Sequence, residues 1–343
     1  MRITKSPFPA FLAAVPVTAI LFVLSCGGSG PLTLDGPYLG QTPPTLAPEI
    51  FAPGLVSTGG QEMSIAFAPD GREVYLLVAG PGYSPRHMLH SRWSETGWGD
   101  FREVEFFSPD RVDSYPFVAP DGRVFFNSMR WYQGAPMDRG REIWFVDRTH
   151  DGWTEPERIA FSGGGPNTGT FPSVASNGNL YFNARVGGAE SDIFVSRFVD
   201  GRYERPERMG DTVNSPAGDY HPFIAPDESY LLFDSVRDSS RAGSNDIYIS
   251  YRDDAGTWSN AQNMGGSVNT DFSDLRPFVT ADGKFLFFVS DRMTEESHAS
   301  DSKSIGEIRR ALDQPGNGLQ DIYWVRFSGT SPFSSNRGAS PPM

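Results

Sequence analysis

One short segment recurs five times in this chain, and its recurrence limits the folds that the chain can adopt. Each copy joins two apolar runs through a tight turn of the Ala-Pro-Asp-Gly type, which suits a type I turn. The five turns centre on Asp70, Asp121, Asn177, Asp227 and Asp282. Their spacing of 50 to 56 residues leaves room for two more strands in each unit. Such a period is typical of β-propeller blades, each of which is one small antiparallel sheet.

The two remaining strands of each unit can also be placed. Third strands are predicted at 88–93, 142–147, 192–197, 246–251 and 321–326, most of them opening with an acidic residue. Fourth strands, introduced by Trp or Tyr, are predicted at 153–159, 203–209 and 258–264. Four antiparallel strands per unit complete the pattern of a blade.

The fifth unit stops after its third strand, whereas residues 47–51 match the fourth-strand pattern ahead of the first unit. We therefore predict an all-β fold: a five-bladed β-propeller of four-stranded antiparallel blades over residues 47–327, closed by an N-terminal strand. Such closure removes an exposed sheet edge. Six blades are the alternative, if residues 290–320 hold a degenerate copy. Within that long loop, residues 304–312 are predicted to be helical.

These motifs resemble those of a known family. The pattern P-F-x-A-P-D-G, then S-x-R, then D-I-[FYW] is carried by residues 116–122, Ser235, Arg237 and residues 246–248. It resembles the WD40-like propeller repeats of TolB-type proteins over residues 47–327. The resemblance implies a propeller fold. The chain departs from TolB in lacking room for an N-terminal α/β domain and in its predicted lipidation, so TolB's role in the Tol–Pal system of the cell envelope is not carried over.

The N-terminus predicts an export signal. Arg2 and Lys5 precede an apolar run at 11–24, and small residues follow. A positive region, a short apolar region and a small residue before the cut are typical of a secretory signal, predicted here over residues 1–25. The apolar run is shorter than a comfortable transmembrane helix.

The only cysteine of the chain, Cys26, directly follows this predicted signal. Residues 23–26 resemble the bacterial lipobox, in which the cysteine becomes the lipidated first residue, so Cys26 is the predicted lipidation site. A plain signal peptide with a chance cysteine is the alternative. Gly27 resembles the default outer-membrane sorting pattern. We therefore expect a protein anchored by lipid in a bacterial cell envelope, in the outer membrane facing the periplasm or the cell surface.

Two segments flank the predicted propeller. Residues 26–46 and 328–343 are rich in Gly, Pro, Ser and Thr. The first is predicted to be a flexible tether between lipid and domain, and the second a disordered tail.

Charge and cysteine content exclude some functions. Lys and Arg total 29 against 42 Asp and Glu, which gives a net charge of −13. This balance disfavours nucleic-acid binding, which needs a basic surface. A single cysteine excludes an internal disulfide and a cysteine-based zinc site.

The topology of a propeller places every long loop on one face, and binding sites usually lie on such loops. On this face four blades carry an acid near the mouth of the central channel. The candidate ligand-binding residues are Glu62, Asp113, Tyr115, Asp219, His221, Asp274 and Arg276. They predict an acidic mouth that binds a basic partner group or a cation such as calcium; otherwise no cofactor is predicted, and the metal content stays open. The alternative is that the acids cap neighbouring loops.

A second charge series ends the second strands, at Arg130, Arg185, Arg237 and Arg292. We expect these arginines to pair with the acids that open the third strands, as structural contacts.

The pattern of acids favours binding over catalysis. Enzyme sites break repeat symmetry, whereas these acids recur by rule, and no Gly-x-Ser-x-Gly motif is present. The leading hypothesis is a non-enzymatic scaffold whose loop-rich face binds an envelope protein, a peptide or a glycan. Whether the chain is an enzyme stays open. The alternative is a carbohydrate-active hydrolase or lyase that uses carboxylates at the propeller mouth, with His221 as a general base.

Overall fold

The computed structural model describes residues 35–132, 140–166, 169–238, 244–298 and 304–329, and every structural statement below concerns these residues. The predicted signal and Cys26 lie outside them. Blade 1 contains β2 (Gln61–Phe67), β3 (Glu73–Ala79), β4 (Arg86–Ser94), β5 (Gly97–Trp98) and β6 (Arg102–Glu103), while β1 (Glu49–Ile50) precedes it and belongs to the last blade. Blade 2 contains β7 (Ser114–Val118), β8 (Val124–Ser128), β9 (Glu142–Val146) and β12 (Glu157–Arg158), with a small hairpin of β10 (Arg148–Thr149) and β11 (Gly152–Trp153).

The other three blades repeat this plan. Blade 3 contains β13 (Thr170–Val174), β14 (Leu180–Ala184), β15 (Asp192–Ser196) and β18 (Glu207–Arg208), with a hairpin of β16 (Phe198–Val199) and β17 (Arg202–Tyr203). Blade 4 contains β19 (Asp219–Ile224), β20 (Tyr230–Ser235), β21 (Asp246–Tyr251) and β22 (Gln262–Asn263). Blade 5 contains β23 (Asp274–Val279), β24 (Phe285–Ser290) and β25 (Asp321–Arg326).

The blades form a closed ring. The first strand of each blade is innermost, consecutive inner strands contact one another, and that of blade 5 contacts that of blade 1. Strand β1 pairs with β25, with Glu49 opposite Trp324, and so supplies the fourth strand of blade 5. The predicted five-bladed propeller and its closure by an N-terminal strand are thus confirmed.

The hydrophobic core lies between the faces of neighbouring blades. The largest cluster joins blades 4, 5 and 1 around Phe51, Phe287 and Trp324, all of which are fully buried. The ring of Phe51 lies 5.0 Å from that of Phe287 and 5.2 Å from that of Trp324, measured between centroids. The closing segment is therefore held by aromatic packing as well as by strand pairing.

In blade 4 only Gln262–Asn263 of the fourth strand predicted at 258–264 pairs with the third strand, and the fourth strands of blades 2 and 3 are likewise shorter than predicted. Only Glu157–Arg158 and Glu207–Arg208 pair with the third strands there, while Trp153 and Tyr203 lie in the small hairpins. A proline, Pro156 in blade 2, separates the hairpin from the short strand. Because proline has no N–H to donate to a strand ladder, the predicted strand divides at this position.

The long connection between the second and third strands of blade 5 forms helices instead of a sixth blade. Helix α1 spans Glu295–His298 and helix α2 spans Ile305–Leu312. Ser304 caps α2 in a capping box with Glu307, each side chain bonding the other's backbone N–H. The predicted helix is confirmed. Every helix within the described ranges is too short or too polar to span a membrane.

Part of the predicted tether belongs to the folded domain. Leu39 is fully buried, and the ring of Tyr38 lies 5.0 Å from that of Phe285. The Gln41 side chain accepts a hydrogen bond from Ala52 N–H and donates one to the Ile50 carbonyl. The folded segment therefore begins N-terminal to residue 47, because a few anchoring side chains lie within a stretch of tether-like composition.

Candidate binding face

The three aspartates predicted at the channel mouth lie inside the blades. The side chains of Asp113, Asp219 and Asp274 are fully buried. Each accepts a hydrogen bond from the backbone N–H of the preceding loop, at 2.6 to 2.9 Å, from Ser108, Ser215 and Thr270 respectively. These contacts are those of a loop cap, the alternative interpretation of the repeated acids. They leave no exposed carboxylate at these three positions.

Each of these aspartates is also paired with an arginine. The guanidinium groups of Arg130, Arg237 and Arg292 lie 2.6, 2.5 and 2.5 Å from Asp113, Asp219 and Asp274. Each arginine also donates to a backbone carbonyl of the loop that its aspartate caps. Burial raises the pKa of Asp113 to about 6, although a hydrogen bond from Ser128 and the charge of Arg130 oppose the shift.

The predicted partners of the arginines were therefore wrong. The acids that open the third strands of blades 2 and 3, Glu142 and Asp192, bond instead to Arg158 and Arg208 of the fourth strands, at 3.2 and 2.7 Å. Arg185 pairs with Glu190, at 3.4 Å. Arg130, Arg237 and Arg292 turn towards the capped loops because a carboxylate and a carbonyl are both available there.

Blades 1 and 3 depart from the aspartate rule. In blade 3 a Cβ on Gly169 would lie 2.9 Å from the ring of Phe182, so this position has no room for a carboxylate side chain. In blade 1 the Glu62 carboxylate accepts hydrogen bonds from the Thr58 N–H and hydroxyl, at 3.2 and 2.8 Å. Glu62 therefore also caps a loop.

Glu62 forms a buried acidic pair with Asp321 of blade 5. The two residues are only 2% and 1% exposed. Burial raises the pKa of both groups, and the proximity of Glu62 raises that of Asp321 further, to about 8, against a hydrogen bond from Gly316 N–H. Two carboxylates so close cannot both ionise readily, so the pair retains a proton near neutral pH.

The residues just before the repeat proline form a cluster at the channel mouth. Tyr115, Phe171, His221 and Arg276 all have positive φ, between 52° and 57°, and each lies at a β-bulge of its inner strand. The ring of Phe171 lies 3.8 Å from that of Tyr115 and 3.7 Å from that of His221. Three predicted site residues are thus brought together, with Phe171 between two of them. We call these four residues the mouth cluster.

A second repeat feature, which sequence reasoning missed, holds the mouth cluster in place. The side-chain oxygens of Asn127, Asn183 and Asp234 accept the backbone N–H of the mouth residue in the next blade. The distances to Phe171, His221 and Arg276 are 2.9, 3.2 and 2.9 Å. Each bond fixes an unusual backbone conformation and joins two blades. The signal is visible in the aligned repeats as Asn, Asn and Asp near the end of the second strand.

In blade 4 this position is an aspartate, and it binds a histidine. Asp234 Oδ1 lies 2.6 Å from His221 Nδ1, and Asp234 Oδ2 accepts a hydrogen bond from Asn245 at 2.7 Å. Burial lowers the pKa of His221 and the charge of Arg276 assists, while Asp234 opposes the shift. The bond to Asp234 orients the imidazole.

Two depressions mark the two faces of the ring. A cavity of about 250 Å³ lies on the loop-rich face, with Phe171, Arg185, Tyr220 and His221 in its wall. Another of about 390 Å³ lies on the face of the tight turns. Its lining includes Tyr38, Trp93 and Trp98.

The sequence allowed a bound cation at the acidic mouth, but the described residues contain no set of ligands for one. No group of three His, Cys, Asp or Glu side chains is placed there to hold a metal ion. The bound cation stays a prediction.

Comparisons with known proteins identify solved structures of similar fold. No family model matches the chain, and no curated protein sequence matches it. A putative TolB from Agrobacterium tumefaciens is a similar solved structure, with 15% identity, 78% of this chain and 91% of that chain covered, and a TM-score of 0.45. TolB from Acinetobacter baumannii is another, with 13% identity, 79% of this chain and 55% of that chain covered, and a TM-score of 0.40.

An enzyme is also among the similar structures. The endo-arabinase from Bacteroides thetaiotaomicron VPI-5482 has 15% identity, with 84% of this chain and 98% of that chain covered and a TM-score of 0.45. At such identities the similarity concerns the fold alone. Because one scaffold hosts many functions, the function has to be argued from the residues of this chain.

Proposed function

We propose that this protein is a lipid-anchored binding scaffold of the bacterial cell envelope, whose loop-rich face binds a protein or a peptide. The anchor rests on the lipobox-like sequence at Cys26 and on the predicted signal over residues 1–25. The outer membrane, facing the periplasm or the cell surface, is the proposed location, and an envelope protein or peptide is the proposed partner.

The observation that carries the binding function is an apolar stripe on helix α2. Ile305, Ile308 and Leu312 are 67%, 42% and 57% exposed. Their spacing places them on one side of the helix. An apolar helix side left open to solvent is typical of a surface that packs against another polypeptide. This favours a protein or a peptide over a glycan.

The stripe is presented by a helix with a defined start and a defined attachment. The Ser304 capping box satisfies backbone donors at the N-terminus of α2. After the helix, Asn317 donates to the Gly59 carbonyl at 3.3 Å and to the Leu312 carbonyl at 2.7 Å. The connection is thus fastened to the linker that leads into blade 1, on the loop-rich face.

The geometry gives less support to the carbohydrate-active alternative. Glycoside hydrolysis requires two carboxyl groups that flank the substrate. Asp113, Asp219 and Asp274 are fully buried and bonded to arginines, so they form no such pair at the surface.

The binding function is tested by a change on the stripe. We expect Ile308→Asp to abolish a partner adduct that forms when intact cells are chemically crosslinked and the tagged protein is purified. The matched control is Val199→Asp, at a position 44% exposed on the small hairpin of blade 3. An adduct that survives Ile308→Asp would contradict the proposal, as would a glycan hydrolase activity that is lost in His221→Ala.

The anchor is tested separately. We expect Cys26→Ser to move the protein from the membrane fraction to the soluble fraction, because the lipid can no longer be attached. Equal membrane retention of the variant and the wild type would contradict lipidation at Cys26.

A further inference from the structure

One structural position at the channel mouth carries different residue types in different blades. It is not part of the apolar stripe on α2. It opens the third strand of blade 1 and directly precedes the third strand of the other blades. The strand registers make five residues equivalent there: Arg86, Arg141, Ser191, Asn245 and Gln320. Blades 1 and 2 thus carry a cation where the other blades carry a neutral polar residue.

The neutral residues are bonded within the protein. Ser191 accepts a hydrogen bond from Asn183 at 2.9 Å, and Asn245 donates one to Asp234 at 2.7 Å. Gln320 accepts one from Arg276 at 2.8 Å. In these three blades the position serves the internal hydrogen-bond network of the mouth.

The two arginines are not satisfied in this way. Arg86 donates through Nε to the Tyr83 carbonyl at 3.1 Å, but its Nη1 is buried without a hydrogen-bond partner. Arg141 Nε is likewise buried without one. In the described part of the chain, neither forms an ion pair with a carboxylate, although buried arginines such as Arg237 do.

A third arginine from the mouth cluster joins them. Arg276 bonds to the Met63 carbonyl and to Gln320, yet its Nε is buried without a partner. The guanidinium carbons of Arg276 and Arg86 lie 5.5 and 5.9 Å from the centre of the Tyr115 ring. Burial, and then the charge of Arg86, lowers the pKa of Arg141. Arg86 and Arg141 therefore lie close enough to repel each other, and Arg276 shares the Tyr115 ring with Arg86.

Such an arrangement is unfavourable unless an anion is bound to it. Like charges that are partly removed from water repel strongly, and the unpaired N–H groups lose their hydration. The face of Tyr115 offsets part of this cost through cation–π contacts. An oxyanion would offset more, because the planar fork of a guanidinium matches the two oxygens of a carboxylate or a phosphate. The cluster is also unusual in a chain of net charge −13.

We propose that Arg86, Arg141 and Arg276 form an oxyanion site at the channel mouth, which binds a carboxylate or phosphate group of the ligand. The inference rests on the proposed binding function of the loop-rich face, and it names the chemical group recognised there. The aromatic rings of Tyr115 and Phe171 supply an apolar surface beside the bound group.

The test uses the full mature chain in detergent at low ionic strength, titrated calorimetrically with citrate, with inorganic phosphate and with neutral glycerol. We expect citrate, phosphate or both to bind and to raise the melting temperature, with no effect of glycerol. Binding of citrate alone identifies a carboxylate ligand, and binding of phosphate alone identifies a phosphate ligand. Arg141→Met should weaken binding about tenfold or more, because charge-assisted hydrogen bonds are lost while the apolar stem is kept.

The control is Arg202→Met, which removes an exposed arginine of blade 3 and the same net charge. It should leave the affinity unchanged. Without added anion, Arg141→Met should melt at or above the wild-type temperature, since it removes a repelling charge. Three results would overturn the site: no binding of either anion, equal weakening by both variants, or a large fall in the anion-free melting temperature of Arg141→Met.

The site and the proposed function can fail separately. If neither anion binds while the cellular adduct still depends on Ile308, the oxyanion site is wrong and the scaffold function stands. If Arg141 binds an anion while no adduct depends on Ile308, the site stands and the protein-binding function is wrong.

Discussion

At the scale of single residues, repeated charges in this propeller build the scaffold, while the exceptions to the repeat mark the mouth. The aspartate and arginine that recur in blades 2, 4 and 5 are bonded to each other and to the same loop. The residues that do not recur, such as His221 and Arg276, meet at the channel mouth. A recurring acid is therefore first to be interpreted as part of the fold.

The paired charges give a stability prediction. Arg237→Met should lower the free energy of unfolding by about 3–5 kcal/mol, because it leaves Asp219 buried without its cation. Arg197→Met is the matched control, since its partner Glu207 is 3.8 Å away and both side chains are well exposed. Its effect should be about 0–1 kcal/mol. Urea unfolding measures both, and equal effects would contradict the structural role of the buried pair.

The acidic pair of Glu62 and Asp321 gives a pH prediction. The pKa of Asp321 is about 8 in the folded state, above the value of about 4 in an unfolded chain. The folded state therefore binds this proton more tightly than the unfolded chain does. The bound proton contributes fully to the free energy of unfolding below about pH 4, and this contribution is lost as the pH rises towards 8.

Between pH 6 and 8 this loss should lower the free energy of unfolding by about 2 kcal/mol. Asp321→Asn should remove most of the pH dependence, because the amide cannot ionise. Urea unfolding of both proteins at the two pH values measures the difference. An identical change in the free energy of unfolding between the two pH values for wild type and variant would show that the pair does not retain the proton.

Residue contacts could be predicted from the sequence only in part. The aligned repeats already contained Asn127, Asn183 and Asp234 at one position, but their partners lie in the next blade and are distant along the chain. The arginine partners were predicted wrongly because spacing indicates which residues are near, and does not indicate which way a long side chain turns.

At the scale of strands and helices, the sequence was more informative. The apolar alternation and the turn residues placed the first three strands of the blades, and the closing strand predicted at 47–51 is found at Glu49–Ile50. The fourth strands were overestimated in blades 2, 3 and 4, and in blades 2 and 3 a proline interrupts the ladder. The ordered N-terminal segment was missed because Tyr38 and Leu39 are isolated anchors among glycine and proline.

The closing segment gives a prediction at this scale. Phe51→Ala should lower the free energy of unfolding by about 3–5 kcal/mol, because the ring is fully buried between Phe287 and Trp324. Deletion of residues 47–51 should lower the melting temperature by many degrees, since it also opens the edge of β25. Leu46→Ala, at a position 77% exposed, is the control and should melt like the wild type. A deletion variant that melts like the wild type would show that the ring does not need this strand.

At the scale of the whole molecule, the chain is a symmetric ring with one asymmetric face. The number of blades and the closure follow from the repeat and from the unpaired fifth unit, so they could be predicted without a structure. The asymmetry could not, because the helical insertion and the three arginines come from blades 1, 2 and 5, and only ring closure brings those blades side by side. That asymmetry is what distinguishes one face as a candidate for recognition.

The central claim is that this face contacts a partner in the cell envelope. Site-specific photo-crosslinking in intact cells tests it most directly, with p-benzoylphenylalanine placed in turn at Ile308 on α2, at Phe171 in the mouth and at Val199 on the outer hairpin. We predict a discrete adduct from Ile308, and none from Val199. An adduct from Val199 alone, or equal adducts from all three positions, would contradict the claim.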